Sequence, residues 1–230
     1  MVDVTGDAPR GRARGGAEAG DRRARLPRSG TFAPSAAGYQ AAKRALDLAG
    51  ALLLLPVLLG VALLLLLLNP VLNRGGLFFV QERMGQGGRP FRAWKFRSMR
   101  TAPQIARGPF DALERHRITR LGHLLRQTRL DELPQVLNVL AGDMSLIGPR
   151  PDYYPHARIY AEEVPGYRER HALRPGISGL AQVEVGYVDG REGLQSKVAA
   201  DLHYLQNASL RLDLWIAWRT LAVVLGRKGS

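Results

Sequence analysis

The chain has 230 residues, enough for one domain with appendages around a buried core. Its formal charge of +13, from 33 Lys and Arg against 20 Asp and Glu, favours nucleic acid, anionic lipid or phosphorylated ligands as partners over acidic protein clients. It contains no cysteine, which excludes a disulfide framework and cysteine-based zinc or thiol chemistry.

Residues 1–42 are rich in Gly, Ala, Arg and Pro and poor in large apolar side chains, so they are expected to form a disordered basic tail. No secretory signal is read there, because no short apolar segment with a small-residue cleavage site follows the charged region. Residues 43–73 hold the long uncharged stretch, LAGALLLLPVLLGVALLLLLL from Leu48 to Leu68. As a straight helix it would reach about 31 Å, just enough for a bilayer core. Pro56 removes a backbone hydrogen bond and Gly60 follows one turn later, so a kink is expected, with each arm too short to cross alone. Lys43 and Arg44 precede the segment and Arg74, Arg83 and Arg89 follow it, leaving no charge asymmetry to orient a spanning helix. The expectation is a re-entrant helix that enters one leaflet and returns.

Residues 74–226 are expected to form one catalytic domain, with 227–230 a short tail. LFFVQERMGQGGRPFRAWKF reads as two strands around a Gly-rich turn. Asp111 to Gln127 carries Leu113, Ile118, Leu121, Leu124 and Leu125 at helical spacings. Asp131 and Glu132 follow, and Pro134 is tolerated only in a first turn, so a helix should begin beside the two carboxylates and run towards Ala141 and Gly142. MSLIGPRPDYYP and RPGISGLAQV read as rigid loops, each presenting an arginine. Leu194 to Asn207 and Leu210 to Leu225 read as helices; Trp215, Trp218 and Arg219 on the second fit either a membrane interface or core packing. The fold class is α+β and mainly helical, with a small β-hairpin element and amphipathic interfacial helices.

A carboxylate pair among arginines suits phosphate chemistry. Arg126 and Arg129 precede the pair, and Arg150 and Arg174 lie on the two loops, where a planar guanidinium matches phosphate oxygens. The carboxylates can hold magnesium against a diphosphate or supply a nucleophile to phosphorus. A structural ion-pair cluster is the rival explanation.

In order along the chain, KRALDL, the proline-containing apolar helix, FFVQERMGQGGRPFRAWKFRSM, LDELPQVLNVLAGDMSLIGPRP and RPGISGLAQV resemble the bacterial sugar transferase family, monotopic polyprenyl-phosphate sugar-1-phosphate transferases. The likeness covers Lys43 to Leu225. It implies transfer of a sugar 1-phosphate from a UDP-sugar to undecaprenyl phosphate at the cytoplasmic face of the bacterial inner membrane, releasing UMP and initiating a surface glycan such as an exopolysaccharide or capsule. Asp131 falls on the position of a nucleophile that forms a covalent phosphosugar intermediate, with Glu132 assisting and both holding Mg2+. Arg126, Lys95, Arg97, Arg150, Arg174 and Gln182 fall on motif positions expected to bind the substrate's phosphates or nucleotide. The family's usual Ser-Pro helix break is Leu55-Pro56 here. Partners are then the UDP-sugar, undecaprenyl phosphate and membrane lipid, with no nucleic acid, because the tryptophans lie in apolar surroundings instead of forming stacking platforms; homo-oligomerisation stays open. A non-catalytic basic membrane scaffold and a glycosyltransferase that releases UDP are the alternatives.

Overall fold

The computed structural model describes residues 37–100, 108–111, 114–186 and 190–226. Residues 1–36 of the expected tail and the tail at 227–230 therefore lie outside the described residues. Residues 37–42 are not tail: they open the first helix, α1, Ala37–Leu72. Two contacts fix this beginning. The Tyr39 hydroxyl donates to Asp213 Oδ2 at 2.9 Å and Lys43 Nζ pairs with the same oxygen at 3.0 Å.

The helix runs through Pro56 and Pro70 as one element. At 36 residues it is about 54 Å long, more than a bilayer core requires. It is long and apolar enough to cross a membrane, with a mean hydropathy of 3.1 over its most apolar window. One stripe, Asp47, Ala51, Leu58, Leu65 and Asn69, is buried at helical spacing. The opposite side leaves Leu53 78%, Leu67 72% and Val71 77% exposed, so one face serves the domain and the other does not.

Strands β1, Phe78–Met84, and β2, Pro90–Phe96, pair antiparallel from Phe78 opposite Phe96 to Met84 opposite Pro90. Gly87 (φ 65°) and Gly88 (φ 76°) make the connection between them, where the sequence places a Gly-rich turn between two strands. Helix α2, Arg120–Gln127, is much shorter than the expected 111–127. The Arg100 N–H donates to Arg117 O and Met99 bridges Ile118, which draws the preceding residues into extended pairing. Thr119 then caps α2 by accepting from the Gly122 N–H at 3.0 Å. Helix α3, Gln135–Ala141, starts just after Pro134 and ends at Gly142 (φ 94°), as read from the sequence.

Strands β3, Ser145–Ile147, and β4, Gly176–Ser178, lie inside the two segments expected to be loops and pair in parallel. Helices α4, Tyr154–Glu163, and α5, Leu180–Glu184, flank them, and α6, Gly190–Asn207, and α7, Leu210–Leu225, complete the domain. On α7, Ile216 is fully buried while Leu214, Trp215, Trp218 and Leu221 are exposed, with the Arg219 guanidinium 5.7 Å from the Trp215 ring centre. The chain is thus mainly helical with two two-stranded sheets among the described residues.

Contacts along α1 tie it to successive parts of the domain. Arg44 donates to the Val139 and Leu140 carbonyls at the end of α3. Leu58 and Leu65 share a cluster with Phe96, Leu121 and Leu125, each fully buried leucine contributing about 1.5–3 kcal/mol. At the far end Asn69 donates to Gly75 O and Asn73 to Arg97 O. Near its start Asp47, 4% exposed, accepts from Ser145 Oγ at 2.8 Å and from the Leu146 N–H at 2.9 Å.

Replacing Asp47 with Ala removes the acceptor of the Leu146 N–H and one of two acceptors of Ser145 Oγ, which keeps Ile147 O at 2.9 Å, and should destabilise the protein by about 1–3 kcal/mol, while Asn should cost less because its carbonyl still accepts. Thermal unfolding in detergent checks this, and equal melting temperatures for wild type and D47A would contradict it.

Candidate active site

The carboxylate pair lies on a single 3-10 turn, Leu130–Glu132, between α2 and α3. Arg129 opens the turn in the left-handed region (φ 58°, ψ 10°). Leu130 and Leu133 pack into the cluster shared by α1 and α2. Asp131 and Glu132 between them are 5% and 4% exposed.

Burial of two adjacent carboxylates is costly unless cations answer them. Glu132 is answered fully. Lys95 Nζ on β2 donates to Oε1 at 2.7 Å, Arg150 Nη1 donates to Oε2 at 2.8 Å, and Arg150 Nη2 donates to Oε1. This is a two-pronged guanidinium–carboxylate contact with an ammonium added. Burial works to raise the Glu132 carboxyl, but the Arg150 and Lys95 charges overcome it and hold it well below the usual carboxylate range. Burial pulls the Lys95 ammonium down to about 8 against the pull of Glu132. Asp131 goes the other way: burial first, then the Glu132 charge, push it up to about 6 against Lys95, Arg126 and Arg150. Two neighbouring acids on one turn are thereby made unlike.

Each cation is placed by its own support. Asn138 on α3 accepts from the Trp94 N–H at 3.1 Å and donates to Arg92 O at 2.8 Å, so its amide acts as a further rung on β2 and fixes the strand that carries Lys95. Arg150 follows β3 on a segment that lies tightly against β4: a Cβ at Gly176 would sit 2.1 Å from the Gly148 nitrogen, and one at Gly179 2.2 Å from the Gly148 oxygen. Beneath it, fully buried Arg170 donates to Arg150 O at 2.7 Å, to Asp152 Oδ2 at 2.6 Å and to Asp201 Oδ2 at 2.8 Å. Lys197 closes this network on Asp152 Oδ1 at 2.6 Å. Arg83 donates to Pro151 O at 3.0 Å.

The structure brings Asp131, Glu132, Lys95, Arg150 and Arg126 together. Arg126, in the last turn of α2, acts on Asp131 through its charge and points one guanidinium nitrogen at Met99 Sδ, 3.8 Å away. Arg97 is placed elsewhere: it is 7% exposed and donates to the Gly76 and Asn73 carbonyls, fastening the exit of α1. Arg174 is exposed and donates to Gly142 O at 3.1 Å, at the end of α3. Gln182 donates to Ile177 O at 3.4 Å, and its Oε1 is buried without a hydrogen-bond partner. Sequence reasoning missed Arg170, Asp152, Asp201 and Lys197. The available signal was on α6, where Lys197 and Asp201 interrupt the apolar stripe of Leu194, Val198, Leu202 and Leu205.

Two cavities border this centre. One of about 240 Å³ is polar, lined among others by Arg83, Arg129, Arg150, Tyr153, His156 and Lys197. The other, of about 300 Å³, is largely apolar and runs between Leu54 of α1, Val136 of α3, Ile177 of β4 and Ala217, Leu221 and Val224 of α7. Arg129 and Gln182 line both; Glu132 lines the apolar one, and Asp131 lines neither.

The expected magnesium pair does not fit as a pair. Both Glu132 oxygens are held by Arg150 and Lys95, and both Asp152 oxygens are held by Lys197, Arg170 and Tyr167. No group of three or more His, Cys, Asp or Glu side chains suited to a metal occurs among the described residues. The Asp131 carboxylate is the remaining candidate, and magnesium is commonly held by one carboxylate together with substrate phosphates and water.

Comparison with known proteins gives a consistent picture. Residues 38–227 match the family described as bacterial sugar transferase. Over 192 residues the chain is 39% identical to the UDP-N-acetylgalactosamine-undecaprenyl-phosphate N-acetylgalactosaminephosphotransferase of Aeromonas hydrophila, covering 84% of this chain and 45% of that protein. It is 41% identical over 188 residues to the UDP-glucose:undecaprenyl-phosphate glucose-1-phosphate transferase of Caulobacter vibrioides, covering 80% and 69%. It is 41% identical over 199 residues to the exopolysaccharide production protein PSS of Rhizobium leguminosarum bv. phaseoli, covering 80% and 96%. The chain thus spans less than half the length of the Aeromonas relative.

Because the Glu132 charge helps to hold Asp131 at about 6, the variant E132Q should lower the Asp131 titration towards the ordinary carboxylate range. Lys95 and Arg150, no longer neutralised, push in the same direction. Carbon-13 NMR of labelled aspartate in detergent reads the shift, and an Asp131 titration unchanged in E132Q would contradict it.

Proposed function

Because the chain belongs to the bacterial sugar transferase family, we propose that it transfers a sugar 1-phosphate from a UDP-sugar to undecaprenyl phosphate, releasing UMP and initiating a surface glycan. The observation that carries this reading is the divided carboxylate pair, Glu132 held ionised by Lys95 and Arg150 while its neighbour Asp131 is pushed up to about 6. One acid neutralises the local cations, and the other stays poised as a nucleophile at neutral pH, largely ionised yet poorly solvated.

The donor's diphosphate enters the polar cavity, where Arg83, Arg150 and Lys197 supply positive charge. An Asp131 oxygen attacks the phosphorus that bears the sugar. The bond from that phosphorus to the bridging oxygen breaks, and UMP leaves with the electron pair. An oxygen of the lipid phosphate then attacks the same phosphorus, the bond to Asp131 breaks, and the carboxylate is regenerated. One phosphoanhydride replaces another, so the work is orientation and charge stabilisation. Asp131 is 5% exposed, so its side chain must turn outward as the donor binds. Magnesium would be held by the Asp131 carboxylate and would supply charge neutralisation for the leaving phosphate.

The apolar cavity beside Glu132 and Arg129 takes the prenyl chain of the acceptor. The outer faces of α1 and α7, with Leu53, Leu67, Val71, Trp218 and Leu221 exposed, sit in the membrane. The domain contacts α1 from Tyr39 to Asn69, which supports a helix held in one leaflet over one crossing both. Asp47 and Asn69 lie about 33 Å apart along the helix, so a perpendicular span would put the domain's contacts with them on opposite sides of the membrane and draw the part of the domain packed on Leu58 and Leu65 into hydrocarbon. On this reading the chemistry takes place at headgroup depth on the cytoplasmic face of the inner membrane, where the nucleotide sugar and the lipid phosphate meet.

Protein in nanodiscs with magnesium, undecaprenyl phosphate and a panel of UDP-sugars should release UMP only with the lipid and the correct sugar under multiple turnover. The substitution Asp131→Asn should reduce turnover on the order of a thousandfold or more while membrane association persists. UDP as product, or near-normal turnover by D131N, would overturn the reading.

A further inference from the structure

Three cationic side chains approach Glu132, and one of them is unlike the others. Lys95 Nζ lies 2.7 Å from the carboxylate and Arg150 holds both its oxygens, whereas Arg129 Nη1 stands 4.0 Å away on a side chain 29% exposed. Arg129 is also the sole non-glycine residue at positive φ among the described residues. Glycine or asparagine would take that conformation at less cost, so an arginine there points to a task for its side chain.

Its position indicates the task. Arg129 lines the polar and the apolar cavity alike. Within the apolar cavity it is the only cationic side chain, and Glu132 is the only anionic one. A ligand with an apolar chain in that cavity and an anionic head at its inner end meets Glu132, which repels the head, and Arg129, which attracts it. The planar guanidinium suits a phosphate monoester, donating paired N–H bonds to its oxygens.

We propose that Arg129 positions the phosphate head of the acceptor, a prenyl phosphate whose chain fills the apolar cavity between α1 and α7, while Arg83, Arg150 and Lys197, which line the polar cavity and not the apolar one, carry the donor. This rests on the transfer reading above. It makes Arg129 a specificity residue for the second substrate, at the point where the lipid's head must pass from the apolar cavity towards Asp131.

The test separates the two substrates. In nanodiscs of zwitterionic lipid, Arg129→Asn, which keeps a residue tolerant of the left-handed backbone, should raise the KM for undecaprenyl phosphate by about tenfold or more. The KM for the UDP-sugar, and UMP formed in a first turnover without acceptor, should stay within about twofold, a change worth well under 1 kcal/mol. Arg129→Lys should recover part of the acceptor affinity. An acceptor KM left within that margin, or donor and acceptor KM rising together, would overturn the assignment. Binding of undecaprenyl phosphate without donor gives a readout that does not depend on turnover. It should weaken in R129N by the same factor, and unchanged binding would sink the proposal even if the transfer reading itself had failed. Anionic phospholipid added to the discs should not compete; competition would mean that Arg129 serves the bulk membrane surface and not the acceptor.

Discussion

The clamp on Glu132 is the interaction on which the rest of the centre depends. It joins three segments far apart in sequence: Lys95 from β2, the turn carrying the acids, and Arg150 from the segment after β3. A buried carboxylate left without those partners would be costly, so the turn, the strand and the loop adopt their positions together. The same contact makes the two acids unlike, because the saturated Glu132 charge is one of the forces that raise Asp131. Behind the clamp, the Arg170 guanidinium joins the Arg150 carbonyl to Asp152 and Asp201, so the buried charge network serves to hold one loop in register.

Helix α1 links this centre to its setting. Its inner stripe is shared between polar anchors at the two ends, Asp47 and Asn69, and leucines in the middle. Its outer face is a row of exposed leucines and valine. Leu54 on this helix and Leu221 on α7 both line the apolar cavity that ends at Glu132 and Arg129. The helix with this exposed apolar face is therefore also a wall of the apolar cavity, which reaches Glu132 separately from the polar one.

Much of this was legible in the sequence because its signals are local. Aromatic and apolar residues flanking GQGG marked the hairpin, Pro134 and Gly142 bracketed α3, and the leucine spacing set α7 at Leu210–Leu225. Local signals also misled. Periodic leucines before Gln127 read as one long helix, but pairing of Met99 with Ile118 and the Thr119 cap delay its start to Arg120. The parallel pairing of β3 with β4 was hidden because each strand is three residues long and pairs with a partner about thirty residues away. At the site, motif position identified the pair of acids, Lys95 and Arg150, yet could not separate arginines that face them from those that fasten backbone. Arg97 and Arg174 hold carbonyls at the ends of α1 and α3. The contacts of Arg170 with Asp152 and Asp201 span 18 and 31 residues, beyond the reach of any periodicity.

The central claim is that Asp131 becomes covalently linked to the sugar phosphate. Mass spectrometry of the protein after brief exposure to its UDP-sugar in the absence of acceptor lipid tests it most directly. The account predicts one added sugar phosphate per chain, mapped to the peptide containing Asp131, with an equal amount of UMP released and the adduct discharged on adding undecaprenyl phosphate. An adduct on another residue, or efficient transfer to lipid with no adduct and no UMP before lipid is added, would contradict it.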